Sequence, residues 1–526
     1  MRSVVQPVLR NVCSAIGVPF GGGLKLGTPI SLAVSVLSST SAKLTWTNSG
    51  NQGDGIRVYT STDGINYTKV GSDLPVDTTS YTHSSINTGT DRYWKVCYFK
   101  GTRQGTFSSV VQLVWFEMEC TTTAASTLTL NRVDCVAGDG ITIFWGDGSS
   151  NSYTSANNGT TKTHAYSGAG TWTVKIANPL NISYIDFSDT KLTNFNTNQF
   201  LKCGDNLTGI SLTNLGSGRV INSSHLAHLK LSNQLTLYFS QSGTYVINSD
   251  HFKNYTLSYT LYLNFTQSGT YTINSDHFKN YTLSSQLYLY FLQTGTYTIN
   301  SDHFKNYTLS NQLYLYFTQT GTYTINSDHF KNYTLSSQLY LQFTQAGTYT
   351  INSDHFKNYT LSFQLYLYFS KSGTYVINSE HFKNYTLSYT LYLNFPQSGT
   401  YVINTSHFKN YTVNGLYYIL FDPTNLTKTI SRSDFTLYRV PNVTITMGLT
   451  QSEVDTILLG FYDAFPSKTN AGGTINLNGS GNAAPSGTYA AQCPPTTGKN
   501  AAYELLNDSC GVSSNHWATI NVVGGL

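Results

Sequence analysis

Charged side chains are scarce in this chain. Aspartate, glutamate, lysine and arginine make up 11% of the 526 residues, against about a quarter in ordinary soluble proteins. The 30 basic and 26 acidic residues leave a formal net charge of +4, which is too balanced to favour nucleic acid or an anionic membrane as a partner. Apolar runs long enough to span a bilayer are also missing, so we expect no membrane insertion.

The seven cysteines are too few and too scattered for a disulfide scaffold. Two pairs are spaced so that a bridge could form, Cys493 with Cys510 and Cys120 with Cys135, and free thiols are the alternative for both. Their spacing fits no zinc signature. The chain also shows no nucleophile elbow, phosphate-binding loop or paired-carboxylate cleft. We therefore expect a protein that is not an enzyme, with no catalytic residue, no metal site and no cofactor.

Residues 1–25 lack the features of a secretory signal. Pro7 and Arg10 interrupt a mildly apolar stretch, and no clean small-residue cleavage site follows it. The glycines at 21–23 suggest a hinge. We interpret residues 1–25 as an attachment peptide or linker.

Tyrosine, by contrast, is abundant, with 40 residues in a chain that is 14% aromatic, and this composition is typical of β structure. Residues 26–115 alternate apolar and polar positions, which predicts strands at 44–46, 56–59 and 93–96 and a tight turn at Asp63 and Gly64. The segment resembles a fibronectin type III domain through Trp46, the run Val-Tyr-x-Ser-x-Asp-Gly at 58–64 and the late Tyr-x-x-Val at 93–96. The resemblance implies a β-sandwich.

Residues 116–180 contain a second set of motifs. The run Trp-Gly-Asp-Gly occupies 145–148, His-x-Tyr occupies 164–166, and Gly-Thr-Trp-Thr-Val occupies 170–174. The segment resembles a PKD domain, with Trp172 in place of the usual tyrosine. The resemblance implies a second β-sandwich that acts as a spacer or interaction module without catalysis.

Eight histidines recur every 26 residues, from His225 to His407. A fixed period of this length predicts a stacked repeat array, which we place at residues 181–440. In a representative unit the alternation at 261–265 predicts a strand with Leu261, Leu263 and Phe265 facing inward. We expect Gly269 to allow a turn and residues 275–281 to form a short helical turn capped by Asn274 or Ser275. Further inward positions follow along the unit: Ile273, Phe278 and Leu283.

The order of these apolar positions resembles the leucine-rich repeat, whose units are 20–29 residues long. The asparagine that usually follows the strand is absent, and Gln267 lies near its place. A parallel β-helix is the alternative. Residues 441–526 are predicted to form a mixed α/β cap, with a capping box at 450–453 opening a helix. The predicted fold class is therefore mainly β: two β-sandwich modules, a 26-residue-repeat solenoid and a C-terminal cap.

Outward-facing residues of the repeated strand form the candidate binding surface. Stacking turns each repeated residue into a row, and two neighbouring rows are rich in phenol and amide groups. Phenol rings pack on the C–H faces of sugars, while hydroxyl and amide groups bond sugar hydroxyls. The alternative is that the tyrosines only stack on one another and stabilise the sheet. The candidate ligand-binding residues are Tyr262, Tyr288, Tyr290, Tyr314, Tyr316, Tyr340, Tyr366, Tyr368 and Tyr392.

Six of the repeated histidines directly follow a carboxylate, from Asp250 to Glu380. Adjacent residues point in different directions and catalysis needs one converging set of groups, so we interpret this row as helix-end charge beside a partly exposed histidine. Each regular unit also carries Asn-Tyr-Thr, which is a glycosylation sequon if the chain enters a glycosylating secretory route.

Taken together, the N-terminal peptide, the two sandwich modules and the repeat array resemble modular adhesins and, most of all, virion surface or tail-fibre proteins of tailed bacteriophages. The resemblance implies that the protein lies at the virion surface and attaches to a host cell-surface glycan or protein. It also implies that the N-terminal segment joins other virion or fibre subunits. A homo-oligomer is compatible with this organisation. The alternative is an extracellular or cell-surface structural protein of a bacterium that forms fibres. A polysaccharide depolymerase is a weaker alternative, since no paired carboxylates are evident.

Overall fold

The computed structural model describes residues 25–38, 40–86, 91–435, 442–468 and 471–526. Most of the predicted attachment peptide, residues 1–24, lies outside them. The chain divides into two compact units, Met1–Trp115 and Phe116–Leu526. No described helix is long and apolar enough to cross a membrane.

The first unit contains two antiparallel sheets whose strands include the segments predicted from sequence. Alternate side chains such as Leu44, Trp46 and Trp94 are buried, as period-two strands with one face on a core require. Gly64 adopts a positive φ of 73° at the predicted turn. The three-stranded sheet contains Ile30–Ser38, Ser41–Thr47 and Ser80–Ser84, and the five-stranded sheet contains Thr68–Leu74, Gly55–Ser61, Arg92–Lys100, Arg103–Gln104 and Val111–Leu113.

The second unit begins with two further small sheets. Cys120 and Cys135 lie on separate strands here and are buried free thiols, so the bridge suggested between them is wrong. The five-stranded sheet has the order Ser150–Thr154, Gly140–Phe144, Gly170–Ala177, Trp115–Thr122 and Leu192–Thr193, and the two-stranded sheet pairs Ser126–Leu130 with Lys162–Tyr166.

A sheet of 14 strands runs through the rest of this unit. Its first strand pairs antiparallel with the second, and all later pairs are parallel. Repeat-equivalent residues are direct partners, for example Leu261 with Leu287. The strands, in order, are Arg132–Cys135, Ile182–Phe187, Gly209–Leu212, Gln234–Phe239, Thr260–Phe265, Gln286–Phe291, Gln312–Phe317, Gln338–Phe343, Gln364–Phe369, Thr390–Phe395, Leu416–Phe421, Asn442–Thr446, Thr474–Leu477 and Thr519–Val522.

Each coil also contributes a strand to a second parallel sheet of nine strands, where the sequence had indicated only a turn. The glycine that starts this segment suggested a reversal, but Tyr271 and Ile273 alternate inward after it and are buried. The strands are Arg219–Asn222, Gly243–Asn248, Thr270–Asn274, Thr296–Asn300, Thr322–Asn326, Thr348–Asn352, Thr374–Asn378, Thr400–Asn404 and Leu426–Thr429.

The two sheets differ in register. In the first sheet Tyr262 pairs with its repeat equivalent, Tyr288. In the second sheet Ile273 pairs with Tyr297 rather than with its repeat equivalent, Ile299. In the second sheet, repeat-equivalent residues are thus offset by two residues along the strand, at about 3.3 Å per residue. Since neighbouring strands are about 4.8 Å apart, these residues are about 8 Å from each other. Repeat-equivalent residues are therefore closer together in the first sheet than in the second, although neighbouring strands are equally far apart in both.

A short 3-10 turn follows each strand of the second sheet. In the turn Ser275–Phe278, the side-chain oxygen of Asn274 accepts a hydrogen bond from the backbone N–H of Asp276 at 3.0 Å. Of the two predicted caps, Asn274 and Ser275, the cap is therefore Asn274. The turns of the array are Thr197–Lys202, Ser223–Leu226, Ser249–Phe252, Ser275–Phe278, Ser301–Phe304, Ser327–Phe330, Ser353–Phe356, Ser379–Phe382 and Thr405–Phe408.

The core of a coil consists of the predicted apolar residues and two buried tyrosines that the sequence had not indicated. Leu261, Phe265 and Phe278 are fully buried, and so is Tyr281. The Tyr281 hydroxyl donates to the carbonyl of Phe252 in the preceding coil at 2.8 Å. In this way a buried polar group links two coils.

Gln267 makes a second link between coils. Its side-chain amide donates to the carbonyl of Ser240 at 3.2 Å, and Gln293 does the same to Thr266 at 2.9 Å. The glutamine near the expected asparagine position therefore connects the coils with its side-chain amide.

Replacement of Tyr307 by phenylalanine should lower the free energy of unfolding by about 1 kcal/mol, because it removes one of the two hydrogen bonds to the buried carbonyl of Phe278, the one from the Tyr307 hydroxyl at 2.9 Å, and leaves the one from the Tyr281 backbone N–H at 3.0 Å. Urea unfolding followed by circular dichroism measures this. The control is Tyr316→Phe on the half-exposed side of the sheet, and equal midpoints for the two variants would contradict the expectation.

The C-terminal segment contains helices Gln451–Ala464 and Gly498–Asn507 and adds the last strands to the 14-stranded sheet. The predicted capping box of Thr450 and Glu453 is present. The predicted inner face of the first helix, which includes Ile457 and Phe461, is buried. Shorter 3-10 turns occupy Arg432–Asp434 and Phe465–Ser467, and Cys493 forms a disulfide with Cys510, one of the two suggested pairs.

Candidate ligand-binding face

We define the tyrosine face as the outward side of the 14-stranded sheet between Gln234 and Tyr418. Its side chains form three rows because the strands are aligned residue for residue. All residues of the three rows are uncharged. The first row contains Gln234, Thr260, Gln286, Gln312, Gln338, Gln364 and Thr390; the central row contains Thr236, Tyr262, Tyr288, Tyr314, Tyr340, Tyr366, Tyr392 and Tyr418; the third row contains Tyr238, Asn264, Tyr290, Tyr316, Gln342, Tyr368 and Asn394.

The central row is a continuous stack of phenol rings. Ring centroids of Tyr262 and Tyr288 are 4.0 Å apart, those of Tyr288 and Tyr314 are 4.1 Å apart, and their planes are nearly parallel. The last pair, Tyr392 and Tyr418, is 4.5 Å apart. The two faces of each inner ring are thus occupied by its neighbours. The row presents ring edges and hydroxyl groups to solvent, so the expected packing of sugars on its ring faces has no free surface there.

Burial also changes the acidity of this row. The pKa of Tyr314 is raised well above the usual value, first by burial and then by the neighbouring Tyr340. At the end of the row, burial and Tyr392 raise the pKa of Tyr418 to about 12. The phenols therefore stay protonated at neutral pH and offer both a donor and an acceptor.

The third row is interrupted. Tyr290 and Tyr316 stack at 4.4 Å, but shorter amide side chains replace tyrosine at Asn264 and Asn394. These two asparagines are 6% and 7% exposed, and the side-chain oxygen of each is buried without a hydrogen-bond partner among the described residues. At Gln342, by contrast, the side-chain oxygen accepts the Tyr340 hydroxyl at 2.7 Å.

All nine candidate tyrosines lie on this one face, in its central and third rows. Sequence reasoning placed the two rows but left the asparagines without a separate role. The signal that could have found them is the substitution itself, since Asn264 and Asn394, like Gln342, replace tyrosine in this row.

The histidine row lies away from this face, at the 3-10 turns, and its carboxylate partners come from the preceding coil. His277 contacts Asp250 through Nε2 at 2.5 Å and Ser249 Oγ through Nδ1 at 3.1 Å. The same Ser249 oxygen accepts the backbone N–H of Asn274 at 2.9 Å. The serine is fully buried while Asp250 is exposed, so the hydroxyl has no access to a substrate. This Ser-His-Asp arrangement holds neighbouring coils together.

The arrangement differs from the sequence interpretation in one respect. From the sequence we expected each carboxylate to interact with the end of its own helical turn. In the structure it also pairs with the histidine of the next coil, as in Asp250 with His277 and Asp302 with His329. Burial lowers the pKa of His303. A hydrogen bond from Lys279 lowers the pKa of Asp276.

Comparison with solved structures gives a distant likeness. An Fn3-like protein from Clostridium thermocellum shares 26% sequence identity; the match covers 16% of this chain and 90% of that chain, with a TM-score of 0.15. No family model matches the sequence, and no curated protein matches it.

Proposed function

We propose that this chain is a non-enzymatic attachment protein of a virion surface or appendage, and that its tyrosine face binds glycan on the host cell. The observation that carries the proposal is the uncharged array of phenol hydroxyls and amides on one continuous sheet. Such groups match the neutral, hydroxyl-rich surface of a polysaccharide, where every hydroxyl both donates and accepts.

Charge distribution supports a neutral ligand. Charged side chains of the array, such as Asp276 and Lys279, lie at the 3-10 turns and pair with one another at 3.0 Å. An anionic partner such as nucleic acid would require basic residues on the binding face, and the tyrosine face has none between Gln234 and Tyr418.

The arrangement of the coils supports the same role. We propose that the array is a divergent leucine-rich repeat rather than a straight β-helix, because repeat-equivalent residues lie closer together in the first sheet than in the second. The tyrosine face then lies on the inner side of the bend, which is the usual binding surface of such solenoids. In this proposal the sandwich modules act as spacers and the N-terminal segment joins other subunits.

A glycan array probed with the full chain tests the proposal. The triple variant Tyr288→Ala, Tyr314→Ala, Tyr340→Ala should bind at least about tenfold more weakly, since it removes the hydroxyl groups and the edges of three consecutive rings. The matched control changes three exposed threonines on the second sheet of the same coils, Thr296→Ala, Thr322→Ala and Thr348→Ala.

Equal binding by a correctly folded tyrosine variant would refute the role of this face. Absence of glycan binding by the wild-type chain would refute the choice of ligand. Release of oligosaccharide from host polysaccharide would show an enzyme and contradict the non-enzymatic assignment.

A further inference from the structure

Two ring-sized gaps interrupt the third row of the tyrosine face. Asn264 lies between Tyr238 on one strand and Tyr290 on the next, and all three are aligned as direct partners. Because strands are about 4.8 Å apart, the two tyrosines start about 10 Å apart. Uninterrupted neighbours in the same row, Tyr290 and Tyr316, stack at 4.4 Å. The missing phenol therefore leaves space for one ring between its neighbours.

The same gap recurs five coils further along. Asn394 lies between Tyr368 and Leu420, again as direct strand partners. Here one wall is a phenol and the other is aliphatic. Both gaps thus have apolar walls on two sides and an amide at the bottom.

The amide at the bottom of each gap is not satisfied by the protein. The nitrogen of Asn264 donates to the Tyr262 hydroxyl at 3.5 Å, and that of Asn394 donates to the Tyr392 hydroxyl at 2.9 Å. The side-chain oxygen of both residues is buried and lacks a partner in the part of the chain that the structure describes. A buried acceptor without a donor is unfavourable and is seldom tolerated unless something else can bond it.

The tyrosine that precedes each asparagine in the third row has a distinct orientation. The Tyr238 ring is turned 74° from the plane of Tyr262, with centroids 6.4 Å apart, and the Tyr368 ring is turned 74° from Tyr392 at 6.0 Å. Where a tyrosine follows in the third row, the corresponding angle is smaller, 43° for Tyr290 with Tyr314. Tyr238 and Tyr368, which precede the asparagines, therefore lie farther from the stacked orientation.

We propose that Asn264 and Asn394 form the floors of two subsites that each take one pyranose ring of a glycan. This inference rests on the proposed function and locates its contacts. The ring enters when Tyr238 or Tyr368 returns to the stacked orientation; its C–H faces then pack on the walls, and one of its hydroxyls donates to the asparagine oxygen. In this arrangement the phenol faces at the gaps are free to pack on a sugar, whereas the ring faces of the central stack are occupied by neighbouring rings.

The chemistry of the floor favours a sugar over an aromatic side chain of a protein partner. A phenylalanine ring would fill the gap but leave the asparagine oxygen unpaired, whereas a pyranose has hydroxyl donors around its rim. The surrounding phenol hydroxyls and the glutamine row add further neutral partners. The walls and floor carry no charge that would select an ionic ligand.

The spacing of the two subsites suits a polymer. Five strand spacings of about 4.8 Å place the asparagines about 24 Å apart along the sheet. A polysaccharide chain that lies along the face can occupy both, and binding at the second subsite then benefits from the high local concentration that the first provides.

The decisive variants are Asn264→Tyr and Asn394→Tyr. Tyrosine occupies the equivalent position in the coils of Tyr290, Tyr316 and Tyr368, so the fold accommodates it, and the new ring fills the gap by extending the stack. Thr296→Tyr is the matched control, because it adds the same phenol at an exposed position of the second sheet, outside the tyrosine face.

The probe is an array of printed pyranose oligosaccharides, and the readout is the protein concentration that gives half of the maximal signal. Each single asparagine variant should raise that concentration about tenfold, the double variant should give no signal, and Thr296→Tyr should bind as the wild type does. Thermal midpoints of the variants should be no lower than that of the wild type. Should either tyrosine variant misfold, Asn264→Gln and Asn394→Gln fill the gaps less completely and should still weaken binding.

Two outcomes separate this inference from the proposed function. If the triple tyrosine variant loses glycan binding while the folded double asparagine variant retains it, the subsites are wrong and the glycan-binding face stands. If the wild-type chain binds no pyranose, or binds only tryptophan-containing peptides on a parallel array, both the subsites and the glycan ligand are overturned.

Discussion

Raising the pH above about 10.5 should unfold the repeat array in one cooperative step, with most of its tyrosines ionising together. Burial raises the pKa of Tyr288 and Tyr314 in the central stack, and it raises the pKa of Tyr281 and Tyr307 in the core well above the usual value. The unfolded chain, in contrast, releases these protons near the ordinary value of about 10.

The direction in which the stability of the folded array changes with pH follows from proton linkage. Because the folded-state pKa is raised, the folded state holds its protons where the unfolded state loses them, so this stabilisation is complete below about pH 10 and is lost as the pH rises. The phenolate absorbance in the near ultraviolet and the circular dichroism should therefore change together. A gradual rise in absorbance while the circular dichroism stays native would contradict the burial of the stack.

The internal control for this titration is the class of more exposed tyrosines. Tyr259 and Tyr389 are 50% and 48% exposed, so their replacement by phenylalanine removes no buried phenol and serves as the comparison. Replacement of the buried Tyr281 and Tyr307 should instead shift the midpoint, since each removes one linked proton from the transition.

Acidification should also destabilise the array, starting near neutral pH. Burial lowers the pKa of His225, His303, His355 and His407. The unfolded chain binds protons at these positions near the usual value of about 6.5, where the folded chain does not. The stabilisation is therefore complete above about pH 6.5 and is lost as the pH falls below it.

Thermal melts between about pH 7.5 and about pH 5 measure this effect, and the melting temperature should fall over that interval. The double variant His303→Gln, His355→Gln should melt at a lower temperature at neutral pH, because Ser275 and Ser327 each lose the contact with a histidine Nδ1, at 2.8 Å and 2.7 Å. It should also show a weaker dependence on pH. The same slope in the variant and the wild type would show that these histidines are not the titrating groups.

Local patterns of the sequence were sufficient for much of the fold. The inward positions Leu261, Leu263 and Phe265 followed from period-two alternation, and the capping box at Thr450 followed from its spacing. The second sheet did not follow, since its strand Thr270–Asn274 begins beside a glycine that favours a turn as readily as an extended strand.

The candidate site was predicted in its location but not in its contacts. Alternation placed Tyr288 and Tyr314 outward and left both stacking and sugar binding open. The ring distance of 4.1 Å shows that the rings stack and that their faces are occupied. The partner of Asp250 could not be predicted from the sequence either, because His277 belongs to the next coil and contacts Asp250 only when the coils stack.

By itself the sequence determined the period, the alternation of each strand and the neutral, phenol-rich composition of one face, since these properties depend on residues close together in the chain. Tertiary structure alone decided which side chains touch across coils: the closed tyrosine stack, the buried asparagines Asn264 and Asn394, and the paired histidines. The physical reason is that such contacts depend on the distance between coils and on the register between strands. In this array one sheet keeps repeat-equivalent residues directly opposite each other, and the other sheet shifts them along the strand.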